Sequence, residues 1–564
     1  MSRAAFLAAL VLVAFAGGFI VQKTYSQTGS QTNAAPSDLT PVGATLLEGL
    51  GDYSMPITSR HPQVQRWFDQ ALMLTYGFNH DAAERSFLKA AELDPECAMC
   101  WWGSTLVLGP HVNAAMDPAN NAKAWMRLQR ALKTAPNASE REQAYIRALA
   151  ARYAENPPED RRSLDAAYAR AMQRLAKQYP DDLDATVLYA EALMDLQPWD
   201  YWDRQGNPRG NTLEIVSQLE SVIGRDPDHA GALHLYVHAV EASNDPERGV
   251  VAADRLRELI PGSGHLVHMP AHIYARVGRY HDAVVANEKA IAADDAYLAQ
   301  CRPQPGVYPL GYVPHNHHFM WFAATMEGAS EIAMRAAEAT AKRTSDPKLM
   351  RTPGFEAMQV FSLTPMFTQV RFGRWEELAR MPQPPNDLPY KVAMWHYGQG
   401  MAAVRQGKPE EARHHHEAIA TAAKSPAIEQ MLVWDRYSVI NGVRIGERVL
   451  AAELAREQKD YDGAVAALRE AVAIEDEIPY DEPPGWHAPV RHRLGAMLLE
   501  SGKYAEAESV FREELRRNPE NGWSLFGLQQ ALRAQGRTKE AEQVGARFER
   551  AWQYADVKLS VASL

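Results

Sequence analysis

Small and aromatic residues return at the same positions of a 34-residue period in two distant parts of the chain. In the first unit, which starts at Val64, positions 8, 20, 24 and 32 are held by Ala71, Ala83, Phe87 and Pro95. In the second unit, which starts at Ala488, the same positions are held by Gly495, Ala507, Phe511 and Pro519. A period of this length predicts an array of supersecondary units, because each unit buries its apolar face only against its neighbours.

The residues between these positions are helical in character. From His61 onward, Ala, Leu, Glu and Arg recur at helical spacing, and Asp-Pro or Asn-Pro pairs separate the segments. The chain has 564 residues. A single compact hydrophobic core does not extend over a chain of this length, so several domains or an elongated array are expected. Composition does not distinguish between these two.

The period and the helical segments together resemble the tetratricopeptide repeat, over most of residues 61–550. The resemblance implies an all-α fold, an α-solenoid of tetratricopeptide-like helix hairpins that wind into a right-handed superhelix. Loops rich in proline and aromatic residues interrupt the period, and we expect them to cover one face of the array. These loops are residues 197–211, 300–313, 381–389 and 478–486.

Four regions are predicted along the chain. Residues 1–21 form an export signal peptide or an N-terminal anchor, since one Arg precedes an apolar run and an A-x-A pattern. Residues 22–60 are a polar, flexible linker, residues 61–555 are the solenoid, and residues 556–564 are a C-terminal tail. The folded part is therefore predicted to be exported, to the periplasm or beyond, and an uncleaved anchor is the only predicted membrane contact.

Charge and cysteine content exclude some classes of function. The net charge is −11 and no long Lys/Arg block is present, which argues against a nucleic-acid partner. Three cysteines are too few for a disulfide scaffold. Cys97 and Cys100 have C-x-x-C spacing, for which a buried apolar pair or a local disulfide is favoured over a redox or metal role.

Two histidine pairs share the repeat period. His234 and His238 are four residues apart on a predicted helix, and His268 and His272 repeat the pair 34 residues later. Residues at i and i+4 lie on one helical face, so each pair can direct two imidazoles at a common point. Histidine at this spacing is typical of transition-metal sites.

The resemblance to tetratricopeptide repeats extends this candidate site. In that family, positions 2, 5, 9, 12 and 13 of each unit face the concave surface. Applied to this sequence, the rule implies one cavity lined by seven histidines and two glutamates. They are His234, His238, Glu241, His265, His268, His272, His315, His318 and, from the preceding unit, Glu191.

These ligand types suit copper, iron or zinc, and the metal identity stays open. The absence of an H-E-x-x-H pair argues against a zincin peptidase. Three functions remain as alternatives: a metalloenzyme acting on a small molecule, a scaffold that binds a peptide or protein in the groove, and metal storage or delivery. A metal-free histidine cluster that binds an anionic or aromatic ligand is a further interpretation. The sequence leaves catalysis, substrate and oligomeric state undetermined.

Overall fold

The computed structural model describes residues 43–301 and 306–564, so the predicted export segment lies outside the described residues. The chain divides into two compact units. Within the described part, the N-terminal unit comprises residues 43–273, 288–301 and 306–313, and the C-terminal unit comprises residues 274–287 and 314–564. No helix in these ranges combines the length and the apolar composition that crossing a bilayer requires.

The prediction of an all-α solenoid of helix hairpins is confirmed, and consecutive helices pack against each other. From residue 64 to residue 301 the helices are α1 (Val64–Tyr76), α2 (His80–Leu93), α3 (Ala98–Leu106), α4 (Asn121–Thr134), α5 (Glu140–Ala150), α6 (Arg162–Gln178), α7 (Leu183–Met194), α8 (Thr212–Arg225), α9 (Ala230–Val240), α10 (Val250–Leu259), α11 (Gly264–His268), α12 (Pro270–Arg276) and α13 (Tyr280–Cys301).

The C-terminal unit continues the same pattern. Its helices are α14 (Val313–Glu327), α15 (Ser330–Thr344), α16 (Met358–Phe361), α17 (Thr364–Arg371), α18 (Trp375–Ala379), α19 (Pro389–Arg405), α20 (Pro409–Ala422), α21 (Pro426–Glu429), α22 (Ile440–Glu457), α23 (Tyr461–Glu477), α24 (Val490–Glu500), α25 (Tyr504–Arg517), α26 (Gly522–Ala534) and α27 (Thr538–Ala551). One short hairpin, β1 (Leu432–Val433) and β2 (Tyr437–Ser438), joins α21 to α22.

The repeat period has a clear packing basis. A Cβ atom at Gly103 would lie 2.3 Å from the ring of Phe87, so only a glycine lets the ring of position 24 press against the next helix. The same contact recurs near the C-terminus, where the ring of Phe511 lies within 2.3 Å of Cβ positions built at Gly495 and Gly527. Phe87 and Phe511 are both fully buried, which explains why a small residue and an aromatic one recur together.

The N-terminal unit also makes a contact that a simple linear array lacks. Helix α9 packs back on α1, and Gly231 makes this possible because a Cβ there would meet the Tyr76 ring at 2.6 Å. The Tyr76 hydroxyl donates a hydrogen bond of 2.5 Å to Asp184 Oδ1. The first helix is thereby tied both to α7 and to α9.

The segment before α1 differs from the flexible linker that its composition predicts. Met55 is 1% exposed, the Tyr53 hydroxyl donates to Asp184 Oδ2 at 3.0 Å, and the Thr58 backbone N–H donates to Glu142 Oε1 at 2.6 Å. Residues 45–58 therefore lie along the repeat helices of the N-terminal unit. Apolar and aromatic anchors among the polar residues are the physical reason.

Two smaller elements bear on the sequence predictions. Cys97 and Cys100 form a disulfide at the start of α3, as in one of the two favoured alternatives. The predicted C-terminal tail contacts the C-terminal unit, since the Asp556 carboxylate accepts hydrogen bonds from the backbone N–H groups of Ser330 and Glu331 at 2.8 and 3.0 Å.

Candidate metal centre

Helix α9 supplies the first histidine pair. Its sequence, AGALHLYVHAV, is apolar apart from the two histidines and Tyr236, and every residue of the helix is buried. A helix that is apolar all round packs in the interior, so His234 and His238 are buried by the helix that carries them. His229 caps its first turn by accepting from the backbone N–H of Ala232 at 3.3 Å.

The second pair does not lie on one continuous helix, in contrast to the sequence prediction. His265 and His268 are on α11, α11 ends at His268, and His272 belongs to α12, which starts at Pro270. Proline lacks the backbone N–H that would continue the helical ladder. The break nevertheless leaves the His268 and His272 rings adjacent and nearly perpendicular, with their Nε2 atoms 2.6 Å apart.

Hydrogen bonds fix the tautomer of three imidazoles. His234 Nδ1 lies 2.6 Å from the Tyr76 carbonyl oxygen, which accepts its proton. His238 Nδ1 and His272 Nδ1 lie 2.9 and 2.5 Å from the two carboxylate oxygens of Glu241. Because a carbonyl and a carboxylate only accept, each Nδ1 carries the hydrogen and each Nε2 carries a lone pair. Metal-binding histidines are commonly oriented in this way.

Nitrogen atoms of three of these imidazole side chains lie close together. One ligand nitrogen from each of His234, His238 and His265 lies within 4.8 Å of the other two, and the Nε2 atoms of His234 and His265 are 3.1 Å apart. Metal–imidazole bonds of about 2.0–2.1 Å set the N···N edge of a tetrahedral site at about 3.3 Å. All three side chains are buried. These three histidines are a group that can hold a metal ion.

The electrostatics keep these groups in the ligand form. Burial, followed by the charge of His238, lowers the pKa of His234 well below its ordinary value. Burial, followed by the charges of His234 and His268, does the same to His265. A neutral imidazole is the form that binds a metal, so the site is ready for a cation at neutral pH without first losing protons.

Aromatic rings enclose the cluster. Phe78, at the α1–α2 corner, has its ring centroid 4.5 Å from that of His234, and Trp199 lies 5.3 Å from His238. Both residues have left-handed backbones, with φ of 54° and 61°, a conformation that costs a non-glycine residue about 1–2 kcal/mol. Tyr312 closes another side, 4.4 Å from His265. The backbone strain at Phe78 and Trp199 is typical of binding sites.

Within the N-terminal unit, the structure brings together six of the nine residues predicted for the cavity. His234, His238, His265, His268, His272 and Glu241 share the N-terminal unit and the contacts above. His315 and His318 belong to the C-terminal unit, where the His318 ring stacks on Trp321 at 5.1 Å. For Glu191, burial raises the pKa to about 7 and Arg152 opposes that rise.

The sequence favours a capping role for His80 and His111, with a contact near the site as the alternative, and the structure places both beside this cluster. The rings of His80 and His111 are 4.4 Å apart, and Phe78 lies between them and His234, with its centroid 4.6 Å from His111. Burial lowers the pKa of His80 to about 4. Both residues lie at corners between helices, where histidines usually cap a helix end. The sequence feature that could have pointed to the site is that these two corner histidines recur near one repeat period apart.

A comparison with protein families agrees with the repeat architecture near the C-terminus. The family model of the tetratricopeptide repeat matches residues 498–547, which confirms the resemblance in that segment. No curated protein sequence matches the chain. Among solved structures, the APC/C hetero-tetramer Cut9-Hcn1 matches with 15% identity over 83% of this chain and 76% of that chain, at a TM-score of 0.30. The human IFIT1 dimer with m7Gppp-AAAA matches with 11% identity over 89% and 92%, at a TM-score of 0.31. Likeness this low says nothing about what this chain binds.

Proposed function

We propose that this protein, which contains tetratricopeptide repeats, binds a transition-metal ion through His234, His238 and His265 in its N-terminal unit. The observation that carries the proposal is the convergence of three buried imidazole nitrogens within 4.8 Å of one another. Glu241 orients two of the surrounding histidines from behind. The His268–His272 pair lies next to this group and shares Glu241 with it.

Hydrogen bonding alone accounts poorly for the arrangement. An N–H···N bond uses one donor and one lone pair, so imidazole nitrogens are satisfied two at a time. A set of three converging nitrogens is satisfied by a cation instead.

The donor set favours zinc or copper over iron. Both carboxylate oxygens of Glu241 accept from histidine Nδ1–H groups, so this carboxylate supports the ligands instead of joining them. Sites that select non-haem iron usually contain a carboxylate ligand beside two histidines, whereas all-imidazole sites suit zinc and copper. Three protein ligands leave a coordination position open for water or a small molecule.

Elemental analysis of full-length protein purified without a His tag tests the proposal. We expect about one zinc or copper ion per chain, and loss of that ion in the His234→Ala/His265→Ala variant. His414→Ala is the matched control, since His414 is exposed and belongs to the C-terminal unit. Metal content that is negligible in the wild type, or unchanged in the double variant, would refute the proposal.

A scaffold that binds a peptide or protein partner is the second candidate. The matched tetratricopeptide segment at residues 498–547 favours it, because such repeats commonly present a concave binding surface. Affinity capture with the wild type and with the metal-site double variant separates the two roles. A partner retained equally by both would assign the scaffold function to the repeats alone. The third alternative, metal storage or delivery, predicts rapid release of the ion to a competing chelator.

A further inference from the structure

A second concave site lies wholly within the C-terminal unit. It is a small groove of about 40 Å³ that opens to solvent on one side. Six aromatic side chains line it. They are Trp321, Phe361, Phe367, Tyr390, Tyr437 and Trp486.

The groove holds one carboxylate and no cationic side chain. Asp481 lies in the wall, where its Oδ2 accepts a hydrogen bond of 2.5 Å from the Tyr437 hydroxyl. Burial raises the pKa of Asp481 to about 6, so the group is mostly ionised at neutral pH. Among the described residues that line the groove, none is Lys or Arg. The wall therefore offers negative charge and aromatic rings.

His487 supplies a polar group directed at the groove. Its ring stacks on Phe367, with centroids 4.7 Å apart and planes 8° apart. Its Nε2 lies 3.4 Å from the Tyr397 hydroxyl, while its Nδ1 is buried and has no hydrogen-bond partner among the described residues. Burial, followed by Arg493 and Arg371, lowers the pKa of His487 well below its ordinary value, so the imidazole is neutral.

The β-hairpin forms part of the rim. Val433, Tyr437 and Ser438 of this hairpin line the groove. At its tip, Trp434 and Asp435 both have left-handed backbones, with φ of 51° and 55°. The Trp434 side chain is 51% exposed and stacks on Phe361 at 5.7 Å. A strained turn that holds a large exposed ring beside a cavity is typical of a ligand contact.

We propose that this groove binds a small organic cation with an alkylated ammonium head. Aromatic rings attract such cations through their π faces, and Asp481 supplies the opposite charge. A neutral apolar ligand would cover the Asp481 carboxylate without offering it an opposite charge, which is costly. His487 can hydrogen-bond a hydroxyl carried by the cation. This proposal is independent of the metal centre.

Choline and its neutral isostere, 3,3-dimethylbutan-1-ol, are matched probes for calorimetric titration of the full-length protein. We expect choline to bind with a dissociation constant on the order of 1 mM, and the isostere to bind about tenfold more weakly, since it lacks the charge. Equal binding of the two probes, or no choline binding at about 100 mM, would overturn the proposal. This comparison needs no variant and so does not depend on the folding of one.

Variants then locate the site. Asp481→Asn should weaken choline binding about tenfold, whereas Asp462→Asn, which removes an exposed carboxylate paired with Lys503 in the same unit, should leave it unchanged. If Asp481→Asn does not fold, Trp434→Ala at the exposed rim serves in its place and should weaken binding several-fold. Choline affinity that is equal in the wild type and these groove variants refutes the site.

Discussion

Replacing Glu241 by glutamine tests how the metal centre is oriented. In the wild type, the two carboxylate oxygens accept one N–H each, from His238 Nδ1 at 2.9 Å and from His272 Nδ1 at 2.5 Å. A glutamine of the same shape keeps one oxygen and replaces the other by an NH2 group. That NH2 faces an N–H, so one histidine must either lose its hydrogen bond or change tautomer.

The size of the effect follows from this geometry. A hydrogen bond to a charged group contributes about 1.5–3 kcal/mol, and about 1.4 kcal/mol corresponds to a tenfold change in affinity. Loss of one such bond predicts a metal affinity about 10- to 100-fold weaker, in the range found when supporting residues of other metal sites are replaced. A tautomer change would place the hydrogen on Nε2 and remove a ligand nitrogen outright. The loss of metal affinity would then exceed the roughly 10- to 100-fold expected from the hydrogen bond alone.

Competition against a chromophoric chelator measures the affinity directly. Glu447→Gln is the matched control, because Glu447 accepts from His416 Nε2 at 2.9 Å in the C-terminal unit, to which none of the proposed ligands belongs. We expect the control to bind metal like the wild type. If Glu241→Gln also binds within about twofold of the wild type, the carboxylate does not orient the site and our reasoning about the tautomers is wrong.

Three further predictions concern stability. The pKa values of His234 and His265 are lowered by burial, so below pH 6.5 the unfolded state binds more protons than the folded one. The free energy of unfolding of the metal-free protein should therefore fall as pH drops, by about 1.4 kcal/mol per pH unit for each histidine. Urea melts that do not change between about pH 5 and 7 would contradict this expectation. Gly231→Ala should destabilise by about 1–3 kcal/mol in thermal melts, since its Cβ would meet the Tyr76 ring at 2.6 Å; a neutral result would show that α9 and α1 adjust freely. Phe78→Ala should lower the free energy of unfolding by about 3–5 kcal/mol despite relief of backbone strain, because the ring is 3% exposed and packs among the histidines. An increase in melting temperature would mean that the strain dominates.

The repeat architecture was predictable because it follows from local periodicity. Phe87 and Phe511 occupy one position of the period, and each packs on a small residue placed by the same period. The His234–His238 pair was predictable for the same reason, since helical spacing alone places both imidazoles on one face. These features need only the sequence within one hairpin and its neighbour.

Other features depend on contacts between distant segments. The position of Phe78 among the histidines requires α9 to pack on α1, and no period signals that contact. The break at Pro270 was visible in the sequence, but its effect on His268 and His272 was not, because two short helices can meet at many angles. Similarly, the polar composition of residues 45–58 concealed the few side chains, such as Tyr53 and Met55, that hold this segment in place.

The hydrogen bond from His234 to the Tyr76 carbonyl joins residues 158 positions apart. A repeat array normally unfolds piece by piece, because each hairpin contacts only its neighbours. Here the first hairpin and α9 support each other, so fraying of the first hairpin would disturb the histidines. We expect this contact to make the N-terminal unit unfold cooperatively, so that the geometry of the histidine cluster follows the folding of the whole unit.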